Sequence, residues 1–234
     1  MGNILITICA RGGSRGLPGK ALLPMSGKPL ICHSVETAIK FSRTCKSVTA
    51  LSSDSLKIIS AVMPYSSVYL IERPAELAKD DTPKLDTIRH ALFECERDFE
   101  TRFDTVIDLD VTNPLRTVKD IQECYKLFKQ GNFDTIFSVT PAKKNPYFNQ
   151  VEDRDGIKLV KDSGLITDRQ SCKLVFDINC NIYIYDRDWL ADAGNLSPIS
   201  GNTGVYVMPE WTSVDIDNEV DFFMVEKLME EYLK

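Results

Sequence analysis

Short apolar runs alternate with amphipathic stretches along the first 140 residues. Residues 4–10 form a continuous apolar run, which is typical of a buried strand. In residues 29–42, and again in residues 85–99, the apolar positions fall at helical spacing. The pattern predicts strands at residues 4–10, 47–51, 67–71, 104–109 and 135–139, and helices at residues 29–42, 55–62, 85–99 and 118–128.

This alternation of strand and helix predicts parallel βαβ units. The expected fold is α/β, with a Rossmann-like, mostly parallel sheet and helices on both of its faces. Asp54 and Thr117 precede two of the helices and are expected to cap them. Ligands of such sheets bind beyond the carboxyl ends of the strands. Candidate chemistry is therefore expected in the segments 11–20, 73–82, 110–116 and 140–144.

The pattern changes at residue 145. Residues 145–187 are expected to form a small antiparallel excursion, with a hairpin turn at Asp155-Gly156. Further elements are predicted as strands at residues 182–185, 203–207 and 213–216 and a helix at residues 218–234. We expect a single domain over residues 1–234, with 145–187 as a lid or a dimerisation segment.

Composition narrows the functional classes. The chain has 234 residues, of which 43% are hydrophobic and 26% charged, as in ordinary folded proteins. Its net charge of -6 disfavours nucleic-acid binding through a general basic field. The apolar run at the N-terminus is too short to span a membrane and lacks a basic leader. Seven cysteines without CxxC spacing favour thiols in a reducing cytoplasm. We therefore expect a soluble, cytoplasmic protein with neither a membrane nor a nucleic-acid partner.

A glycine loop follows the first predicted strand. Residues 11–20 read RGGSRGLPGK and carry four glycines and three cations. Glycines let backbone N–H groups approach an anion closely, and cations neutralise it. The spacing matches neither a Walker A loop nor a dinucleotide fingerprint. A solvated, flexible loop is the alternative, but the position and charge favour binding of a triphosphate.

Two aspartates near the C-terminus form a candidate metal site. In the run Val214-Asp215-Ile216-Asp217, the aspartates are two residues apart. On an extended strand such residues face the same side, which would aim both carboxylates at one point. Carboxylates combined with substrate phosphates are typical ligands of Mg²⁺ (or Mn²⁺). The alternative is a pair of solvated aspartates at the end of a strand.

Several segments together resemble one family. The run ARGGSRGLPGK at 10–20 resembles the N-terminal signature of the CMP-sugar synthetases, which include the CMP-sialic acid and CMP-Kdo synthetases. The segment 72–78 is similar to the family's RPAELA, 108–116 occupies the position of its QPTSPLR, and 214–217 matches its metal motif. The resemblance covers nearly the whole chain. It implies an enzyme that transfers CMP from CTP to a nine-carbon 2-keto sugar acid of the sialic or legionaminic type, and a homodimer formed through the excursion.

The resemblance also implies roles for single residues. Those expected to bind the nucleotide are Arg11, Gly12, Gly13, Ser14, Gly16, Lys20, Arg73 and Thr82. The catalytic set is Arg11, Lys20, Asp215 and Asp217, of which the two aspartates hold the metal. Ala21 departs from the Asn that commonly follows the lysine.

The sugar-binding residues implied by the resemblance are Asp110, Thr112, Arg169, Asn179 and Tyr183. The planar fork of Arg169 suits the carboxylate of a sugar acid. Asp110, Asp177 and Cys180 replace the Gln, Arg and Gly of sialate synthetases, and the two acidic residues resemble the legionaminate branch. For Arg116 a structural role and a functional role stay open.

Two other interpretations remain at this point. One is a CMP-Kdo synthetase or another sugar nucleotidyltransferase. The other is a nucleotide-binding module without catalysis.

Overall fold

The computed structural model describes residues 3–13, 16–161 and 171–233. The strands are β1 (Ile4–Cys9), β2 (Pro24–Met25), β3 (Lys28–Pro29), β4 (Ser47–Ser53), β5 (Val68–Glu72), β6 (Thr105–Leu109), β7 (Thr135–Pro141), β8 (Val151–Asp153), β9 (Ile157–Leu159), β10 (Phe176–Asp186) and β11 (Thr203–Val207). The helices are α1 (Leu30–Ser42), α2 (Leu56–Val62), α3 (Lys84–Asp98), α4 (Val118–Gly131), α5 (Arg187–Ala191) and α6 (Glu219–Tyr232). Short 3₁₀ helices lie at Lys20–Leu22, Ala75–Leu77 and Glu210–Ser213.

Within these described ranges, seven strands form the central sheet in the order β11-β7-β10-β6-β1-β4-β5. Strands β6, β1, β4 and β5 are parallel neighbours, and β11 is parallel to β7. Strand β10 is antiparallel to both of its neighbours, β6 and β7. The predicted mostly parallel α/β sheet is confirmed.

Alternate residues of β1 pack on opposite faces of the sheet. Ile4, Ile6 and Ile8 belong to a buried cluster that includes apolar residues of α1, α2, α4 and α6. Leu5 belongs to a second cluster with apolar residues of α3 and α5. This alternation is the period-two geometry of a strand buried on both faces. Helices therefore cover both faces of the sheet, as predicted.

One of the two predicted helix caps is confirmed. Thr117 and Asp120 form a reciprocal capping box at the start of α4. The predicted Asp54 cap of α2 is wrong, because Ser55 occupies the N-cap position. The Asp54 carboxylate instead accepts a hydrogen bond from the backbone N–H of Gly12, at 2.8 Å. A side chain expected to serve its own helix thus braces the glycine loop.

The segment after residue 145 contains the predicted hairpin. Strands β8 and β9 are antiparallel, and the turn residues Asp155 and Gly156 have φ of 52° and 112°. Strand β10 is longer than the predicted 182–185, since it begins at Phe176. A bulge interrupts its pairing with β7 between Ile178 and Tyr183, around Cys180 with φ of 58°. Its first half was missed, and there the usual pattern is inverted, since Ile178 is exposed while Asn179 and Asn181 are buried.

The predicted strand at residues 213–216 is wrong. Glu210–Ser213 is a 3₁₀ helix, and residues 214–216 belong to no strand of the described structure. A backbone hydrogen bond from Ile216 N to Thr112 O, at 3.0 Å, fixes this segment beside the carboxyl end of β6. The short apolar pattern arose because Ile216 is fully buried, not because the segment joins a sheet. In the part of the chain that the structure describes, no helix is long and apolar enough to cross a membrane.

Candidate active site

A cleft of about 390 Å³ opens where β1, β5 and β6 reach their carboxyl ends. Its walls come from the glycine loop (residues 11–20), from the segment 73–87, from residues 110–112 and from Asp217. Three of the four segments in which the sequence predicted chemistry contribute lining residues. The topology explains this, because parallel strands deliver the segments that follow them to one edge of the sheet.

The glycine loop packs directly against the segment that carries the two aspartates. A Cβ atom built on Gly16 would lie 2.2 Å from the carbonyl oxygen of Asp217, so any side chain there would force the two segments apart. At Gly13 an added Cβ would meet nothing within 4 Å, and this residue lines the cleft. Ser14, predicted to bind the nucleotide, lies outside the described residues. Glycine is therefore required at position 16 to avoid a clash with Asp217. At Gly13 the space beside the backbone is open to the cleft.

Two predicted cations line the cleft, and each is held by an acidic or carbonyl oxygen. Lys20 Nζ donates to Ile216 O at 2.5 Å and lies 3.4 Å from Asp217 Oδ1. Arg11 Nη1 lies 2.5 Å from Asp80 Oδ1. The Arg11 side chain is 33% exposed and its partner 47%, so this pair is open to solvent. Arg11 can exchange Asp80 for a phosphate oxygen, because surface ion pairs add little net stability.

The other predicted nucleotide residues are placed differently. The Arg73 guanidinium is buried and donates to the hydroxyl and the carbonyl oxygen of Ser52, at 3.1 and 2.6 Å. Its side chain therefore forms a fixed wall of the cleft. Thr82 also lines the cleft, and its hydroxyl donates to Glu76 O at 3.2 Å. Ala21 is buried at the cleft margin.

The two candidate metal ligands lie on no strand of the described structure, so the strand assumed in their prediction is absent. Asp217 lines the cleft with a side chain that is 74% exposed. Asp215 is half-buried, and its Oδ1 is a buried atom without a hydrogen-bond partner among the described residues. Burial raises the pKa of Asp215 despite a hydrogen bond with Thr112 and the charge of Lys20, and the nearby carboxylates of Asp110 and Asp217 raise it further.

These features fit a divalent cation. An unpartnered carboxylate oxygen beside like charges is stabilised when a cation arrives. Mg²⁺ commonly takes only one or two protein carboxylates and completes its shell with water and substrate phosphates. Accordingly, the described residues contain no preformed group of three or more His, Cys, Asp or Glu side chains around one point. The magnesium site stays a prediction, with Asp215 and Asp217 as its ligands.

A charged cluster, which we call the β6 floor, lies where β6 ends; it consists of Lys84, Asp108, Asp110 and Thr112. The Nζ of Lys84 lies 3.0 Å from Asp108 Oδ2 and 2.6 Å from Asp110 Oδ2. Asp108 is fully buried and accepts from Thr7 Oγ1 at 2.8 Å. Asp110 Oδ1 accepts from the backbone N–H and the hydroxyl of Thr112, at 2.9 and 2.8 Å.

Electrostatics keep both Lys84 and Asp110 charged. Burial would lower the pKa of Lys84, but Asp108 and Asp110 outweigh it and hold that pKa well above its ordinary value. Burial would raise the pKa of Asp110, but Lys84 and the hydrogen bonds from Thr112 hold it well below its ordinary value. Sequence analysis missed Lys84. The available signal was Asp108 inside the apolar strand Thr105–Leu109, because a buried carboxylate needs a cation or donors nearby.

Arg116 supports the β6 floor from below. It is buried, and it donates to Asn113 O, Ser34 Oγ and Asp110 O at 2.6, 2.6 and 2.8 Å. Burial lowers its pKa to about 10. Of the structural and functional roles considered for Arg116, these contacts favour the structural one. The side chain holds the loop after β6 in place.

Two of the five predicted sugar-binding residues, Asp110 and Thr112, line the cleft. Asn179 is buried, accepts from Ser138 Oγ at 2.6 Å and donates to Thr212 Oγ1 at 3.0 Å. The buried Tyr183 places its ring 5.0 Å from Lys84 Nζ. The structure thus places Asn179 and Tyr183 behind the cleft wall. Arg169 lies outside the described residues.

The substituted residue Asp177 is exposed, and its carboxylate accepts a hydrogen bond from the backbone N–H of Lys143 at 3.3 Å. Asn181 is buried and donates to Thr212 O at 3.1 Å. Neither of these side chains lines the described cleft.

The sheet, its cleft and the glycine loop are those of a nucleotidyltransferase. A solved CMP:2-keto-3-deoxy-manno-octonic acid synthetase in complex with CTP has the same fold, with a TM-score of 0.71 and 18% identity, over 98% of this chain and 99% of that one. Residues 5–206 match the sequence profile of the cytidylyltransferases. The chain belongs to this cytidylyltransferase family.

Similar proteins share most of the length of this chain. It is 40% identical to the CMP-N,N'-diacetyllegionaminic acid synthase of Campylobacter jejuni subsp. jejuni, over 98% of this chain and 96% of that protein. It is 39% identical to the post-translational flagellin modification protein B of Campylobacter coli, over 99% and 97% respectively. The N-acylneuraminate cytidylyltransferase of Streptococcus agalactiae is 29% identical over 93% of this chain and 51% of its own length.

Proposed function

We propose that this chain transfers CMP from CTP to the anomeric hydroxyl of a nine-carbon 2-keto sugar acid and releases pyrophosphate. One observation carries the proposal. The glycine loop with Arg11 and Lys20 shares a single cleft with the ionised acceptor Asp110. A polyanion and a polar sugar can therefore be bound side by side. Family membership and the similarity to a CMP-sugar-acid synthase support the same reaction.

In this reaction the anomeric oxygen attacks the α-phosphorus of CTP. A new P–O bond forms, the bond to the β-phosphate bridging oxygen breaks, and pyrophosphate leaves with that electron pair. The hydroxyl proton passes to water. Phosphoryl-type transfer depends mainly on positioning and charge neutralisation, which are what this cleft supplies.

The cations act on the phosphates. Arg11 exchanges Asp80 for a phosphate oxygen, and Lys20 neutralises the charge that develops on the departing pyrophosphate. Backbone N–H groups of residues 12–16 are proposed to cradle the triphosphate, with Arg73 and Thr82 at the nucleotide wall. Asp215 and Asp217 would hold Mg²⁺ (or Mn²⁺), which supplies further charge neutralisation when it is bound.

The metal assignment has a direct test. Asp217→Ala is expected to lose nearly all turnover at saturating magnesium, with an unchanged circular dichroism spectrum, because the carboxylate is exposed and packs against little. A parental rate in this variant would remove the assignment.

We propose a preference for a sugar acid with two acetamido groups, of the legionaminic type. Asp110 supports this, because it is a charged acceptor that lines the cleft and amide N–H groups need acceptors. The buried position of Asn181 and the exposed position of Asp177 leave the preference dependent mainly on Asp110. Arg169 remains the proposed partner of the sugar carboxylate.

We also propose that residues 1–234 form a single domain. Two copies of the chain are proposed to form a homodimer through part of the segment 145–169. The β8–β9 hairpin exposes Val151, Ile157 and Leu159, with 60%, 71% and 38% of their surface accessible. A contiguous apolar hairpin of this kind is typical of a protein interface. Light scattering should give twice the chain mass for the parent, and a monomer mass would contradict the proposal.

A cytoplasmic location is proposed as well. Cys9, Cys32, Cys95 and Cys124 are free thiols, which suits a reducing compartment.

The reaction is tested by incubating the chain with CTP, Mg²⁺ and a sugar acid and identifying the product by mass spectrometry. A CMP-sugar that forms together with pyrophosphate supports the proposal. Absence of CMP transfer to every nine-carbon acid tried would overturn it.

A further inference from the structure

Lys84 has no assigned role, although it is the one cation of the β6 floor. Its side chain lines the cleft and is 40% exposed. A lysine that served only to neutralise the buried Asp108 would not need to reach the cleft surface. It is also the first residue of α3, where a cation is disfavoured by the helix dipole. A lysine in this position is stabilised by Asp108, by Asp110 and by the Tyr183 ring, 5.0 Å from its Nζ.

The hydrogen bonds of Lys84 and Asp110 leave at least one donor of the ammonium and one acceptor position of the carboxylate unused. Within the described residues, the Lys84 ammonium makes one hydrogen bond of good geometry, to Asp110 Oδ2 at 2.6 Å. Its approach to Asp108 Oδ2, at 3.0 Å, is an ion pair without that geometry. Asp110 Oδ1 already accepts twice from Thr112, whereas Oδ2 accepts once. An ammonium has three donors and a carboxylate about four acceptor positions, so each group keeps capacity toward the cleft.

The charge of the cluster limits what can bind there. Lys84 already faces the carboxylates of Asp108 and Asp110, so a phosphate or a sugar carboxylate placed against Lys84 would also lie beside those two carboxylates and be repelled by them. A neutral group that both accepts and donates hydrogen bonds is favoured, because it can accept from Lys84 and donate to Asp110 at the same time. Hydroxyl and acetamido groups have this chemistry.

We propose that Lys84 is a specificity-determining residue that binds a neutral hydroxyl or acetamido group of the sugar acid together with Asp110. This inference rests on the proposed function. The same chemistry occurs on the ribose and the base of CTP, and the experiment separates these two sources. The sugar acid is favoured because the proposed function already assigns Asp110 to the sugar acid, and Lys84 donates to the same carboxylate at 2.6 Å.

The test compares Lys84→Met and Lys84→Arg with the parental chain. Lys84→Met removes the donor, and Lys84→Arg keeps the charge beside Asp108 while changing the donor geometry. The KM for the sugar acid should rise about 10- to 100-fold in Lys84→Met, as expected for a lost hydrogen bond to a charged group. The affinity for CTP, measured by calorimetry without the sugar, should stay within about twofold of the parent. Lys126→Met, on the exposed surface of α4, is the matched control and should change neither value.

A series of sugar acids, each lacking one hydroxyl or acetamido group, completes the design. For one of these analogues the KM difference between the parent and Lys84→Arg should vanish, because the contact is absent from both. This arm also serves if Lys84→Met does not fold.

Three results would overturn the inference: a parental sugar KM in a folded Lys84→Met, a loss of CTP affinity that parallels the rise in KM, or a KM difference that persists for every analogue. Failure of the parental chain to form any CMP-sugar would instead refute the proposed function.

Discussion

The two ends of the cleft follow neighbouring parallel strands, yet they are built in opposite ways. The glycine loop after β1 carries Arg11, whose ion pair with Asp80 is solvent-accessible. The β6 floor stands on buried side chains, including Asp108, Asn113 and Arg116, whose polar atoms bond to several different segments. The glycine loop can therefore exchange protein partners for substrate atoms. The side chains of the β6 floor are held in place before substrate binds.

This difference separates binding of charge from selection of shape. A triphosphate brings its own strong electrostatic attraction, so its site needs accessible cations and close backbone approach more than rigidity. A sugar is recognised through single hydrogen bonds, whose discrimination depends on donors and acceptors that cannot move to satisfy themselves. Substitutions in the glycine loop should therefore affect activity with little change in stability, and substitutions beneath the β6 floor should affect stability as well.

Lys20→Ala should produce the largest change and should act on catalysis alone. Loss of one positioned charge near the phosphates is expected to lower kcat/KM about 10²- to 10³-fold. The free energy of unfolding should change by less than about 1 kcal/mol, because the ammonium bonds mainly to one carbonyl oxygen. Steady-state kinetics and urea denaturation measure the two effects. Lys126→Ala on α4 is the control, and a Lys20→Ala enzyme with parental activity would refute the role of the loop.

Asn113→Ala should lower the free energy of unfolding. Any loss of activity should follow from that loss of stability. Its amide group donates to Asn179 O at 2.7 Å and to Thr212 O at 2.9 Å. The substitution leaves the carbonyl oxygen of Asn179 without this donor, whereas Thr212 O keeps its hydrogen bond from Asn181, so the expected cost is about 1–3 kcal/mol. Urea denaturation of the variant, beside the control Gln122→Ala on the exposed surface of α4, measures the loss. A change below about 1 kcal/mol would show that the support beneath the floor is not rigid.

The smallest expected effect is the pH dependence that Asp110 contributes. Its pKa in the folded chain is held below the ordinary 3.8, so its stabilisation is present above pH 3.8 and is lost as the pH falls further toward the folded pKa. The stability difference between the parent and Asp110→Asn should therefore narrow below about pH 4, by on the order of 1 kcal/mol. Urea denaturation between pH 3 and pH 6, in the presence of a chelator, measures this.

Glu123→Gln, on the surface of α4, is the control for that titration, and its difference from the parent should not change over the same range. A gap between parent and Asp110→Asn that widens toward low pH would contradict the charged state of the β6 floor.

The apolar pattern of the sequence predicted the central sheet well. The first strand could be predicted because it is a continuous apolar run buried on both faces, and the helices at residues 29–42 and 85–99 because each buries one periodic apolar face. The first half of β10 could not, because its alternating polar residues bond inside the protein. Asn179 and Asn181 are buried there, and no local pattern distinguishes a buried asparagine from an exposed one.

The candidate site was predictable where one segment holds the chemistry and not where distant segments combine. The glycine loop is contiguous, so its position after β1 was enough to indicate a phosphate site. The β6 floor joins Lys84 to carboxylates 24 and 26 residues away, and this pairing depends on how α3 crosses the sheet. The strand that was predicted to carry Asp215 and Asp217 is also absent, because the segment before them is a 3₁₀ helix.

The most direct test of the account is the rate of pyrophosphate release from CTP, measured with N,N'-diacetyllegionaminic acid and with N-acetylneuraminic acid in the presence of Mg²⁺. The account predicts that release requires both CTP and a sugar acid, and that kcat/KM is higher for the diacetamido acid. No release with any nine-carbon acid would contradict CMP transfer. Equal or higher kcat/KM with N-acetylneuraminic acid would contradict the selection assigned to Asp110.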